Sequence, residues 1–221
     1  MAKRLKKTER LSPNDRKDAL IAATLKCLST EGHEGLSIRK ISAEAGVAVG
    51  LINHHYANKE DLVAQAYEHL TLSHLEGIKN EVLTADPHPR SQLSAFVRAM
   101  LSPIIVDPGV FRAWIVFWSL KQPGNAFSEV YDRTYGEYRH FLEDILRRLA
   151  ISRGVPLLDF RLAAIGLMAL LDGLWIEGSL DPETLSTEDA VRLAEAWVDA
   201  LVRGSGESAR PDSQKPLEEL A

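Results

Sequence analysis

Two short helical patterns separated by a single glycine limit most strongly what this chain can become. They lie in SIRKISAEAGVAVGLINHHYANKEDL, residues 37–62. Ser37 is a good N-cap, and Ile38, Ile41 and Ala45 mark one face of a helix over 37–45. Gly46 stops it after about two turns. A second short helix is expected over 48–55, with Val47, Ile52 and Tyr56 facing inward. Helix, tight turn and helix at this spacing predict a helix-turn-helix unit. Its outward face carries Gly50, Asn53 and His54. Gly50 has no side chain, so the backbone there can come close to a duplex. Asn53 offers a donor and an acceptor, suited to adenine or to a phosphate. Asn58 caps the next helix. Lys59 opens it, where its charge and the free N–H groups favour a phosphate. His54 and His55 are adjacent and point about 100° apart, so they do not clamp one metal ion. They are donors to phosphates or ordinary surface residues.

The remaining pattern is helical throughout. Leu20, Ala23, Thr24, Cys27 and Leu28 recur at helical spacing, so a first helix is expected over 14–31, ended by Gly32. Asn58 starts a helix of about 25 residues that runs to Asp86-Pro87-His88-Pro89. Further helices are expected at about 90–102, from Asp107-Pro108 to Gln122, and at 126–151, 158–178 and 187–203. Gly154 and Pro156 close the seventh, and Ser186 with Asp189 starts the ninth. The polar end, SGESARPDSQKPLEELA, reads as a disordered tail. No alternating strand pattern and no internal repeat is visible.

Charge divides the chain. Net charge is −5, yet residues 1–60 carry 11 Lys and Arg against 7 Asp and Glu, and the other 161 carry 15 against 24. Lys3, Arg4, Lys6, Lys7 and Arg10 make a basic arm, either a solvated tail or an element that follows a nucleic-acid backbone. The N-terminus lacks the apolar segment of a secretory signal, and no run approaches about 18 uninterrupted apolar residues. The single cysteine, Cys27, excludes an internal disulfide framework and a multi-cysteine metal site, and it falls on the buried face of the first helix. A cytoplasmic, bacterial location is expected, with no membrane partner. No Ser-His-Asp spacing, HExxH, paired cysteines or Gly-rich phosphate loop appears, so neither catalysis nor a metal or cofactor is expected.

Residues 14–70 resemble the N-terminal domain of the TetR family of bacterial repressors. That family's signature around the second reader helix is matched at Gly46, Val47, Gly50, Ile52, His55, Tyr56, Lys59 and Glu60. The chain departs from it at Ala48, where Ser is usual and supplies a cap, and at Asn53, where an aromatic or Ser is usual. The resemblance implies an all-α fold of about nine helices. It comprises a three-helix DNA-binding domain (14–60) after the arm (1–13), a larger ligand-binding and dimerisation domain (61–204) and a tail (205–221). It implies a homodimer on a palindromic double-stranded operator. Ser37, Arg39, Ala48, Val49, Gly50, Asn53, His54, His55 and Lys59 are then the candidate DNA contacts. Dimerisation would use the last two helices, where Ala163, Ala164, Gly166 and Ala169 permit close approach; the alternative is that this helix is buried within one subunit.

A second motif lies in FRAWIVFWSL, residues 111–120. Phe111, Trp114 and Trp118 share a helix face, and Trp175 follows Asp172 in ALLDGLWIEGSL. Rings with a carboxylate suit a quaternary ammonium, each cation–π contact contributing about 0.5–2 kcal/mol. Aromatics at this spacing are more often simply core, and Tyr131, Tyr135 and Tyr138 on the seventh helix are open to the same two readings. The strings AWIVFW, ALLDGLWIEGSL and GLINHHY resemble the choline-responsive repressors of the glycine-betaine pathway, the BetI type. That resemblance implies a small effector such as choline or betaine aldehyde, held by Phe111, Trp114, Trp118, Asp172 and Trp175. The effector would shift a two-state dimer away from the spacing of about 34 Å that places two reader helices in successive major grooves. Another TetR-type regulator, answering to a different apolar or cationic ligand, is the alternative. A helical-bundle enzyme is the reading from another class.

Overall fold

The computed structural model describes residues 13–102, 108–155, 159–181 and 183–207, with the backbone alone at 13–15, 108–110 and 204–207. The basic arm before Pro13, the expected cap Asp107, Pro156 and the tail from residue 208 lie outside the described residues. Nine helices and no strand are found among those described: α1 (Pro13–Gly35), α2 (Ile38–Ala45), α3 (Val49–His55), α4 (Lys59–Thr84), α5 (Pro89–Met100), α6 (Pro108–Leu120), α7 (Ala126–Ser152), α8 (Phe160–Leu180) and α9 (Thr187–Glu207). Gly32 interrupts α1 with φ 68°, but helical hydrogen bonding resumes and carries the element to Gly35. Helix α9 continues through residues 205–207, which were expected to begin the tail.

Helices pack into two compact units. The first takes α1, α2, α3, α4 as far as Leu72, α6, and α7 as far as Arg133. The division by packing is therefore not the division along the chain at residue 60, because α6 belongs with the reader helices. Its core gathers Leu20, Cys27 and Leu28 of α1, Ile41 of α2, Ile52 of α3, Leu62 and Tyr67 of α4, and Phe117 and Phe127. Each large side chain buried this way stabilises the unit by about 1.5–3 kcal/mol. Helix α1 packs against both α2 and α6, and Arg112 Nε on α6 donates to the Ser29 carbonyl at 2.8 Å. Cys27 is a packed thiol whose pKa burial pushes up.

The second unit holds the rest of α4, α5, the rest of α7, α8 and α9. Leu93, Phe96, Leu142, Ile145, Leu167 and Val198 are fully buried. Arg90 at the start of α5 pairs with Glu195 at 3.4 Å and Asp199 at 3.2 Å on α9. His88 caps α5, its ring nitrogen accepting from Arg90 N at 3.2 Å. Helix α8 is long and apolar enough, by length and composition alone, to cross a membrane, a property that counting uninterrupted apolar residues passes over. Only 33% of its most apolar window is buried within the chain. Leu162, Ala169 and Leu180 on α8 and Leu193 on α9 are exposed. The small residues of α8 divide: Ala163 and Ala164 are buried, Gly166 lies against the Trp197 ring of α9, and Ala169 faces outward.

Candidate nucleic-acid interface and effector residues

The reader is assembled by local hydrogen bonds before any long-range packing. Ser37 has extended backbone and accepts from Lys40 N, which caps α2. Gly46 ends α2 in the left-handed region, φ 65°, where a side chain costs about 1–2 kcal/mol. Gly46 N donates to Ala43 O at 3.3 Å and Val47 N to Ser42 O at 3.1 Å, the paired bonds of a Schellman turn. The half-turned chain is closed again by Ser42 Oγ donating to the Val47 carbonyl. Helix α3 starts at Ala48 with no side-chain cap. Tyr56 N, donating to Ile52 O at 2.9 Å, ends it. Asn58 Oδ1 then accepts from Asp61 N at 2.7 Å and caps α4.

Packing fixes which face of α3 is presented. Ile52 is fully buried and Tyr56 nearly so, its phenol pKa raised by burial first and by Asp61 second. Ala48, Val49, Gly50, Asn53, His54 and His55 are all exposed, as is Arg39 on α2; Ser37 is half-buried in its capping role. The His54 and His55 rings meet edge to face at 5.1 Å, and no cluster of metal-ligating side chains occurs among the described residues. Two lysines differ from Arg39. Lys40 is drawn back onto Glu31 and the Gly35 carbonyl. Lys59 reaches the His33 carbonyl at 3.4 Å and lies 3.7 Å from Glu60. Together with Lys26–Glu44 at 2.6 Å, these ties fix α1, α2 and α4 around the reader. Arg39 is left pointing outward.

The candidate effector residues are distributed over both units. Phe111, Trp114 and Trp118 sit on α6 in the first; Asp172 and Trp175 sit on α8 in the second. Trp114 is half-buried and faces its own unit's core. Its ring lies edge-on to Tyr67 at 5.6 Å and 6.5 Å from Trp118. Tyr67 is the hub of that cluster, within 5.1 Å of Phe117, 5.0 Å of Phe127 and 5.8 Å of Tyr131. A cation already stands on it: Lys121 Nζ lies 4.6 Å over the Tyr131 ring and pairs with Asp132.

In the second unit Asp172 is half-buried, and burial raises its pKa to about 6. The Tyr135 phenol on α7 is pushed up by burial and then by the Asp172 charge, with Arg139 opposing. Trp175 is buried one turn beyond Asp172. This arrangement, a desolvated carboxylate near a phenol and an indole, favours an incoming cation without requiring it to donate a hydrogen bond. Also in this unit, Tyr138 Oη and His74 Nδ1 share a hydrogen bond of 2.8 Å, and burial lowers the His74 pKa to about 4.

Two family models match the chain. One, for bacterial regulatory proteins of the tetR family, covers residues 20–66. The other, for the C-terminal part of BetI-type transcriptional repressors, covers residues 89–203, more than half the chain. The chain belongs to the TetR family. Among curated relatives, the HTH-type transcriptional regulator BetI of Burkholderia cenocepacia (strain HI2424) is 28% identical over 193 residues, 85% of this chain and 94% of the relative. BetI of Paraburkholderia phymatum is 27% identical over 86% of this chain and 94% of its own. A solved protein described as a transcriptional regulator from Pseudomonas aeruginosa PAO1 is 46% identical, with TM-score 0.85, covering 91% of this chain and 97% of that one. The fold is shared at 18% identity and TM-score 0.71 with a transcriptional regulator from Saccharomonospora viridis solved in complex with choline, over 84% and 96% of the two chains.

TetR-family proteins are transcriptional regulators that bind operator DNA, dimerise and take small-molecule effectors; they are not enzymes. Within this TetR chain, sequence periodicity identifies the outward face of α3. It does not identify Ser42 as the staple of the turn or Tyr67 as the aromatic hub. A serine four residues before the turn glycine is a usable signal for the first. Nothing local marks the second, because Tyr67 meets residues some 50 positions away in sequence.

Proposed function

We propose that this TetR-family regulator is a dimeric, cytoplasmic repressor released from a palindromic operator by a small quaternary-ammonium compound, choline or betaine aldehyde. On this reading it governs genes of choline and glycine-betaine metabolism. Residues 14–60 read the duplex and residues 61–204 take the effector and the second subunit. Ser37 and Arg39 of α2, Ala48, Val49, Gly50, Asn53, His54 and His55 along α3, and Lys59 form the DNA surface. The candidate effector residues are taken unit by unit: Phe111, Trp114 and Trp118 on α6 in the first, and, separately, Asp172 and Trp175 on α8 in the second. The observation that carries the ligand class is Asp172, a half-buried carboxylate with a pKa raised to about 6, close to Tyr135 and one turn from Trp175. A match to the BetI-type C-terminal model and a choline complex in the same fold support the same class.

The mechanism is a population shift. A cation that interacts with ionised Asp172 in one dimer state and not in the other moves the equilibrium by its differential affinity. Gel shifts on the duplex upstream of the gene, titrated with choline, test this. Choline is expected to release DNA from the parent protein and to leave the Asp172→Asn complex intact. Release that is equal in both, or absent in the parent, removes the quaternary-ammonium assignment.

A second reading, a TetR-type regulator answering a different and larger ligand, rests on one feature. An open groove of about 710 Å³ runs between α4 and α5 in the second unit, lined by Ser73, Gly77, Ile78, Glu81, Arg98 and Ala99. The same fold occurs in the fatty-acid regulator FadR from Bacillus subtilis in complex with stearoyl-CoA, at 21% identity and TM-score 0.68. Release of DNA by an acyl-CoA and not by choline is the outcome that favours it.

A further inference from the structure

The reader helix presents one large apolar side chain partly to solvent, on the flank of its exposed face. Val49 is 38% exposed, while Ile41 of α2 and Ile52 of α3 are fully buried. Also exposed along α3 are Gly50, Asn53, His54 and His55. With Ile52 as the inward direction and about 100° per residue, Val49 and Asn53 lie on one flank, one turn apart. Gly50 and His54 occupy the crest. A Cβ placed on Gly50 meets nothing within 4 Å, so the crest at that point is bare backbone open to the outside. That matters because Val and Asn are short. Only a close approach of the duplex, which a bare crest allows, brings both within reach of base edges.

We propose that Val49 and Asn53 form a reading flank for A·T pairs. The Val49 methyls pack on the C5-methyl of a thymine, and the Asn53 amide donates to N7 and accepts from N6–H of an adenine. Thymine is the base that offers a methyl in the major groove, and adenine the one whose donor and acceptor match an amide. The two side chains stand about 6 Å apart along the helix axis. Base pairs rise about 3.4 Å, so the pairs addressed are one or two steps apart in each half-site. This inference rests on the repressor reading above and adds the base preference of the same surface.

The test begins with the full chain selecting its operator from a random duplex pool. Each thymine of the selected half-site is then replaced by deoxyuridine, which removes the methyl alone. Each adenine is replaced by 7-deazaadenine, which removes the N7 acceptor. At one thymine the parent protein is expected to lose affinity about fourfold, the effect of one buried methyl. At one adenine within two steps it is expected to lose about fivefold or more. Val49→Ala abolishes sensitivity to the first replacement only, and Asn53→Ala to the second only. Both positions are exposed, so parental thermal melts are expected for both variants. A selected site indifferent to every deoxyuridine, or a Val49→Ala protein as sensitive as the parent, overturns the inference and leaves the repressor reading standing. A chain that selects no duplex overturns both.

Discussion

At Gly50 stability and reach pull in opposite directions. A glycine inside a helix costs about 0.5–1 kcal/mol relative to alanine. Because an added Cβ meets nothing within 4 Å, Gly50→Ala is expected to recover that amount in urea denaturation. The same methyl stands on the crest of α3, so operator affinity should fall in a gel shift. Stability and binding moving in opposite directions is the mark of a residue kept bare for its ligand. Asp172 follows similar logic. Its pKa lies at about 6, above the ordinary carboxylate value, because burial disfavours the charge. Its contribution to folded-state stability is therefore full at acid pH and is lost as pH rises through about 6. Asp172→Asn is expected to raise the melting temperature of the ligand-free protein at pH 7.5 and to change it little at pH 4. If choline is the effector, as proposed, it pairs with the ionised form and is expected to stabilise the parent more at pH 7.5 than at pH 5. The outward direction of Gly50 and Asn53 was legible from Ile52 and Tyr56 four residues apart. The retention of Lys59 by the His33 carbonyl was not, since that partner lies 26 residues upstream.

Individual elements owe their limits to neighbouring residues, and these were legible wherever a standard capping chemistry operates. Ser37, Gly46, Asn58 and Ser186 each end or start a helix by a hydrogen bond or a positive φ that follows from residue type. His88 was missed as the α5 cap because histidine is seldom used that way. Ala48 is the weak point. Helix α3 has seven residues and no side-chain cap, so one of its first amides lacks the acceptor that Ser would supply. Ala48→Ser is expected to stabilise the reader by about 1 kcal/mol and to slow amide exchange within α3 selectively. Uniform slowing across α1 and α2 would instead indicate a global effect. Helix α6 shows where elements stop being readable. Its Trp114 face has the spacing of a ligand wall, but the Trp114 ring packs on Tyr67 and Phe117 within its own unit.

For the whole molecule the decisive surface is the one that α8 and α9 leave uncovered. Only 33% of the most apolar window of α8 is buried within the chain, and Leu162 and Leu180 on α8 and Leu193 on α9 are exposed. A second copy of the chain covers it in the proposed dimer. Leu193→Arg is expected to convert dimer to monomer in analytical ultracentrifugation and to weaken operator binding, because the two half-sites lose their linkage. Leu193 is 53% exposed, so circular dichroism should be unchanged. A dimer that persists with Leu193→Arg places the interface elsewhere. Small residues on α8 pointed toward this surface only in part. Periodicity told that Ala163, Ala164, Gly166 and Ala169 line the helix, but three of them serve packing inside the chain.

By itself the sequence determined what depends on near neighbours: helix limits, the turn at Gly46, the outward face of α3 and the charge contrast between the two parts of the chain. Those features follow from bonds and rotations within a turn or two, which residue type controls directly. Only the tertiary structure decided what depends on distant partners. It put α6 with the reader helices and made Tyr67 the centre of an aromatic core. It also drew Lys40 and Lys59 onto protein acceptors and desolvated Asp172. Burial and long-range pairing depend on which faces meet, and a one-dimensional periodicity gives each helix a face without giving it a partner.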